Sequence, residues 1–69
     1  MNQIELEIGK AAGKIWNALS AKGSMSKPQI AKETGLSTQL LNQGIGWLAR
    51  EGKLVREKSK RGERIKLRE

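Results

Sequence analysis

The side chains in this sequence best suited to specific chemistry are amides and guanidiniums. Gln39, Asn42, Gln43 and Arg50 lie along one stretch, and Lys58, Lys60, Arg61 and Arg64 cluster further on. Gln and Asn can pair bidentately with adenine in the DNA major groove, as Arg can with guanine, while Lys and Arg neutralise phosphates whatever the base sequence. Ser37 and Thr38 stand just before the amides, where hydroxyls at a helix N-terminus donate to phosphate and the helix dipole favours an anion. Catalysis has much less to work with. The 69 residues include no histidine and no cysteine, which excludes disulfide frameworks, the common zinc sites and any triad that needs a His base. Aspartate is absent as well, and the seven glutamates, at 5, 7, 33, 51, 57, 63 and 69, are dispersed without a paired-carboxylate arrangement. We expect neither an enzyme nor a bound metal or cofactor.

Charge points the same way as the amides. Fourteen Lys and Arg against seven Glu give +7, and the excess is uneven: residues 1–49 hold five lysines and three glutamates, residues 50–69 nine basic residues and four glutamates. A basic end on a small domain suggests a polyanionic partner, most often nucleic acid; the bland reading is a solvated surface that aids solubility. Trp16 and Trp47 are the only aromatic residues, too few for the stacking platforms that read single-stranded RNA. Double-stranded DNA is therefore the expected partner. The longest apolar runs fall far short of a membrane span, and the start "MNQIELEIGK" lacks the basic and apolar regions of a signal peptide. The expectation is a soluble, cytoplasmic protein.

The elements that must position these residues follow from local signals. Apolar residues at 8, 11, 12, 15, 16 and 19 have helical spacing and Gly23 can stop the chain, which predicts a first helix over 8–22. Upstream, Ile4, Leu6 and Ile8 alternate with Glu5 and Glu7, so residues 1–7 read either as an extended arm with a short strand or as a frayed helix start. Ser24-Met25-Ser26 leaves room for at most a stub of strand. Ser26-Lys27-Pro28-Gln29 is a capping box, opening a second helix over 27–34 that Gly35 can end in the left-handed conformation. Ser37 caps again, and a third helix runs over 38–51 with Gly52 as terminator. After it, "KLVREK" and "ERIKLR" alternate about "SKRG", which predicts a β-hairpin over 53–68 with a basic tip.

Helix, stub of strand, helix, tight turn, helix and basic hairpin is the order of an α+β fold: a three-helix winged helix-turn-helix with a C-terminal two-stranded β-hairpin wing. The turn supports it. Counted from Lys27, the fourth residue is apolar (Ile30), the fifth small (Ala31), the ninth glycine (Gly35), and the tenth and fifteenth apolar (Leu36, Leu41). The small residue lets two helices cross closely, and the glycine turns the chain with positive φ. On a wheel of the third helix, Leu41, Gly44, Ile45 and Leu48 share an inward arc, while Gln39, Asn42, Gln43, Gly46 and Arg50 share the outward one. Two glycines one residue apart each cost a helix roughly 1 kcal/mol against alanine. Gly44 is expected to admit another helix, and Gly46 to let backbone approach DNA. The hairpin residues Lys58, Lys60, Arg61 and Arg64 would lie along the phosphates or in the minor groove; alternatively they only keep an edge strand soluble.

"IGKAAGKIWNAL" (Ile8 to Leu19) and "GWLAREGKL" (Gly46 to Leu54) resemble a small prokaryotic family of stand-alone winged helix-turn-helix domains of unknown function, over about Ile8 to Leu67. The resemblance implies a winged-helix fold and, by analogy, DNA binding; the sequence as a whole reads as a DNA-binding protein that acts as a transcriptional regulator. The chain departs from the general helix-turn-helix pattern at Gly44, where that pattern has a bulky apolar residue.

A second surface is also visible. Gly9 and Gly13 lie beside Ala12 and Trp16 on one flank of the first helix, and Leu40 and Trp47 lie beside Gly44 on the third. One explanation is internal, with helices 1 and 3 crossing closely and the tryptophans closing the edges of a small core. The other is a homodimer that buries Ile4, Leu6, Trp16, Leu40 and Trp47. A protein-interaction or dimerisation winged helix without specific DNA binding is the functional alternative that this surface keeps open.

Overall fold

The computed structural model describes residues 3–60 and 62–68. Three helices, α1 (Gln3–Lys22), α2 (Lys27–Thr34) and α3 (Thr38–Arg50), precede a hairpin of β1 (Leu54–Ser59) and β2 (Gly62–Leu67). The strands pair antiparallel, from Leu54 with Leu67 to Ser59 with Gly62. The stub between α1 and α2 is a single bridge: Met25 and Ile65 exchange backbone hydrogen bonds of 2.9 and 2.8 Å, joining the hairpin to the helices.

The extended alternative for residues 1–7 does not hold from Gln3 onward, because α1 already begins there. Ile4, Ile8, Ala11 and Ile15 continue one line at spacings of four, three and four, and Gln, Glu and Leu are good helix formers. The two-residue alternation of Ile4, Leu6 and Ile8 is the accident of a helix that also carries Leu6 on its outer flank.

Both later helices start and stop as their flanking residues dictate. Ser26 Oγ accepts from the Gln29 N–H at 3.3 Å, and the Ser26 N–H donates to Gln29 Oε1 at 3.0 Å. Gly35, at φ +72°, ends α2 with its N–H on the Ala31 carbonyl at 2.8 Å. Thr34 then stiffens the turn: its hydroxyl donates to the Ile30 carbonyl at 2.7 Å and accepts from the Leu36 N–H at 3.3 Å. Past α3, Gly52 at φ +71° donates to Ala49 and Lys53 to Leu48, each at 3.0 Å, so two bonds satisfy carbonyls that a helix end otherwise leaves open.

The core gathers Ala12, Ile15, Leu19, Ile30, Leu41, Ile45 and Leu48 from the helices, with Met25 and Ile65 from the bridge. Leu36, Trp47, Leu54 and Leu67 pack on it half-buried. Its tightest place is the crossing of α1 and α3. A Cβ on Gly44 would stand 2.7 Å from Ile15 Cδ1, 3.2 Å from the Ala12 nitrogen and 3.3 Å from the Ala11 carbonyl carbon. Gly44 therefore replaces the bulky residue of the general turn pattern because α1 occupies that space. Gly9 and Gly13 play no part in the crossing: both are exposed, and a Cβ on either meets nothing within 4 Å.

Candidate nucleic-acid interface

The outer face of α3 is open. Ser37, Thr38, Gln39, Asn42, Gln43, Gly46 and Arg50 are all exposed, while Leu41, Gly44, Ile45 and Leu48 are buried on the opposite side. Ser37 is the N-cap, its Oγ accepting from the Leu40 N–H at 3.2 Å, which leaves its O–H free to donate outward. No acidic residue occupies the first turn of either α2 or α3, so nothing there repels an anion from the positive end of the helix dipole. A Cβ added at Gly46 meets nothing within 4 Å, and Gly46 has helical φ rather than a positive one. Neither close packing nor backbone conformation demands glycine at that position.

The register of the hairpin decides which wing residues share a face with α3. Arg56 stands opposite Ile65 and Lys58 opposite Glu63. Alternation therefore puts Leu54, Arg56 and Lys58 on the face of the buried Ile65, towards the helices. Arg56 lines a cleft with Ile45 and Ala49 of α3, and its Nε lies 2.9 Å from a Glu63 carboxylate oxygen. On the other face Lys66 pairs with Glu57 at 3.4 Å. Both pairs are largely exposed. Such pairs hold side chains in place more than they stabilise the fold. Among the described residues Arg50, Lys58 and Lys60 have no ion-pair partner, and all three are exposed.

Arg64 is placed differently from the other candidate wing residues. It is half-buried, and its guanidinium donates from Nε to Ser24 Oγ at 3.1 Å and from Nη2 to the Ser24 carbonyl at 2.8 Å. These two bonds fasten β2 to the connection between α1 and α2, beside the Met25–Ile65 bridge. Arg61 lies outside the described residues. Arg56 was not among the residues singled out from the sequence; the signal was its two-residue offset from Leu54, usable only once Leu54 rather than Val55 is known to face the helices.

The candidate second surface is divided between core and solvent. Trp47 and Leu40 are half-buried, Trp47 packing on the core, whereas Ile4, Leu6 and Trp16 are exposed. Trp16 and Trp47 line a shallow groove with Gly9, Gly13 and Lys53 on the side of α3 opposite the wing cleft. No helix among the described residues is long and apolar enough to cross a membrane.

Four likenesses bear on this arrangement. A family model described as a winged helix-turn-helix domain, DUF2582, matches residues 1–67. The uncharacterized protein MJ1608 of Methanocaldococcus jannaschii is 41% identical over 51 residues, spanning 70% of this chain and 71% of that protein. Among solved structures, the solution NMR structure of protein BT2368 from Bacteroides thetaiotaomicron is similar with a TM-score of 0.83 and 34% identity, covering 94% of this chain and 79% of that one. The Zalpha domain of Carassius auratus PKZ, crystallised in complex with Z-DNA, is similar with a TM-score of 0.75, over 88% of this chain and 97% of that one. At 23% identity this last likeness concerns the fold alone.

Proposed function

The chain belongs to the DUF2582 family of winged helix-turn-helix domains, and from that premise we propose that it is a cytoplasmic protein that binds double-stranded DNA as a transcriptional regulator. The observation that carries this reading is the exposed face of α3, where Gln39, Asn42, Gln43 and Arg50 surround the bare backbone of Gly46. In the proposed complex α3 lies in the major groove, its amides and Arg50 reading base edges. Ser37 and Thr38 hold a phosphate at the helix N-terminus. Lys58, Lys60 and Arg61 neutralise phosphates along the backbone or the minor groove. Arg64 supports the wing from behind by way of Ser24. The similarly folded Zalpha domain, crystallised with Z-DNA, makes left-handed as well as right-handed duplexes worth offering. The working form in this reading is a homodimer, which presents two α3 helices to two half-sites about one helical turn apart. No catalytic role, metal or cofactor forms part of it.

Titration of random-sequence duplex against salt tests the proposal. With about six phosphates neutralised, log K should fall against log salt with a slope of roughly −5. Lys58→Ala and Lys60→Ala should each reduce the slope by about 1 and weaken all sequences alike, whereas Gln43→Ala should relax preference at one base position. Selection of bound duplexes from a random pool would then define the site. Absence of binding to either duplex form at low salt would refute the DNA reading and favour a protein-interaction domain working through the Trp47 flank.

A further inference from the structure

On the hairpin face that turns towards the helices, Leu54, Arg56 and Lys58 of β1 stand against Glu63, Ile65 and Leu67 of β2. Glu63 is the one carboxylate on that face among the described residues. A surface that binds phosphate gains nothing from its charge, because a negative group within about 10 Å of a phosphate is not fully screened by salt and opposes binding. The register sets Lys58 directly opposite Glu63, yet Lys58 has no ion-pair partner among the described residues. The carboxylate reaches diagonally instead, and its Oε1 lies 2.9 Å from Arg56 Nε, at hydrogen-bonding distance. Both side chains are largely solvated, so the pair contributes little to the stability of the fold. Stability therefore does not account for a carboxylate in this place.

What the contact does is orient a guanidinium. With the carboxylate on the Nε side, the two terminal nitrogens of Arg56 keep their N–H donors for another acceptor. Arg56 carries them in the cleft between the wing and α3, beside Ile45 and Ala49, and Asn42 lies on the same flank of α3 one turn before Ile45. A duplex seated as proposed above has α3 in its major groove and the wing on the adjoining backbone or minor groove. The phosphate strand that borders both grooves must then pass along this cleft. We infer that Arg56 binds a phosphodiester of that strand through its terminal nitrogens, and that Glu63 is a positioning residue that holds Arg56 for it. The fork of an arginine has to meet a phosphate from the right direction, whereas lysine acts as a point charge. That difference explains why Glu63 engages Arg56 and leaves the nearer register partner, Lys58, free. An arginine side chain in solution spreads over many rotamers, and holding it before the duplex arrives removes part of the ordering cost of binding. The repulsion that Glu63 adds is offset in this way.

This assignment rests on the DNA reading, and the variants are chosen so that the two can fail separately. In titrations of random-sequence duplex against salt with the full chain, Arg56→Gln should weaken binding to all sequences alike and reduce the salt slope by about 1. At position 63 the informative comparison is between two variants of equal charge. Glu63→Gln keeps an oxygen that can accept from Arg56 Nε, Glu63→Ala has none, and both remove the same negative charge, so their difference reports the contact alone. Glu63→Ala should bind duplex about threefold more weakly than Glu63→Gln, the size expected of an exposed pair. In an Arg56→Gln background the two should bind equally, because the contact is already gone. The thermal melt of each variant should stay close to that of wild type. A wild-type chain that binds no duplex removes the DNA reading and this assignment together. Duplex binding by wild type with an undiminished slope in Arg56→Gln, or with a loss confined to one base position, overturns the assignment and leaves the DNA reading standing. Equal binding by Glu63→Ala and Glu63→Gln in the otherwise wild-type chain overturns the positioning role of Glu63, as does a difference between them that persists without Arg56.

Discussion

The α1–α3 crossing and the wing hold the proposed DNA-binding face from two sides by different physics. At the crossing, Gly44 is pressed against the α1 backbone at Ala11 and Ala12, and the fully buried Ile15 fills what space remains. Gly44, Ala11, Ala12 and Ile15 have no polar side-chain atoms, so the fit among them is steric and unforgiving. The wing rests on the buried Ile65 and the half-buried Leu54 and Leu67, together with the backbone bridge to Met25 and the Arg64–Ser24 clamp. Polar contacts of this kind are lost one at a time. Damage at the crossing should therefore unfold the domain, whereas damage at the wing should loosen one element of a domain that stays folded.

The largest effect should come from Gly44. Gly44→Ala places a methyl group 2.7 Å from Ile15 Cδ1 and 3.2 Å from the Ala12 nitrogen. Overpacking of a buried site costs about 1–3 kcal/mol, offset by roughly 1 kcal/mol of helix propensity. Gly44→Leu, which restores the residue type of the general turn pattern, cannot be housed without driving α1 and α3 apart. Its cost should exceed about 3 kcal/mol and leave a chain this small largely unfolded at 25 °C. Urea denaturation followed by circular dichroism measures both variants. A cooperative Gly44→Leu transition at the wild-type midpoint would mean that the crossing is looser than its distances state.

Arg64→Ala probes the other side. A hydrogen bond from a charged donor contributes about 1.5–3 kcal/mol, and partial exposure of the guanidinium puts the expected loss near the lower end of that range. For a domain of this size that is a fall in Tm of roughly 5–10 °C, with the helices intact. The same variant separates two roles for the residue. If Arg64 acts only through Ser24, the salt slope of DNA binding stays unchanged and Ser24→Ala reproduces part of the Tm loss. A slope smaller by about 1 would make Arg64 a phosphate contact as well.

What the sequence disclosed divides along the same lines. The turn between α2 and α3 was legible because its determinants are local: Ser26, Gln29 and Gly35 act within three or four residues of themselves. The inward arc of α3 was legible from periodicity, and Gly44 stood out in it as the residue that broke the pattern. The start of α1 was misread as equally compatible with an arm because Ile4 and Ile8 fit both periods and Leu6, on the outer flank of the helix, completes the alternation; the helix line is decided by Ala11 and Ile15 further along. The Arg64–Ser24 clamp joins residues forty apart in sequence, and a basic residue beside a hairpin tip carries no local sign that it turns inward. Arg56 was hidden for a related reason, since the facing of β1 depends on which residue opposes Ile65.

The smallest effect distinguishes the two glycines of α3. Gly46 has helical φ, open space around its missing Cβ and no contact that requires it, so Gly46→Ala should stabilise the domain by roughly 1 kcal/mol. A residue with that unused margin is either neutral or retained for something the free protein does not contain. Under the DNA reading it is retained: Gly46 lies between Asn42 and Arg50 on the outer face, and a methyl group there would stand between the α3 backbone and the groove. Gly46→Ala should then raise Tm by roughly 5 °C while weakening duplex binding, two changes of opposite sign from one methyl group. Paired thermal melts and salt titrations of wild type and variant measure them together. A variant that gains stability and binds duplex as well as wild type would remove Gly46 from the interface, and with it the strongest reason for taking this face of α3, rather than the wing alone, as the part that enters the groove.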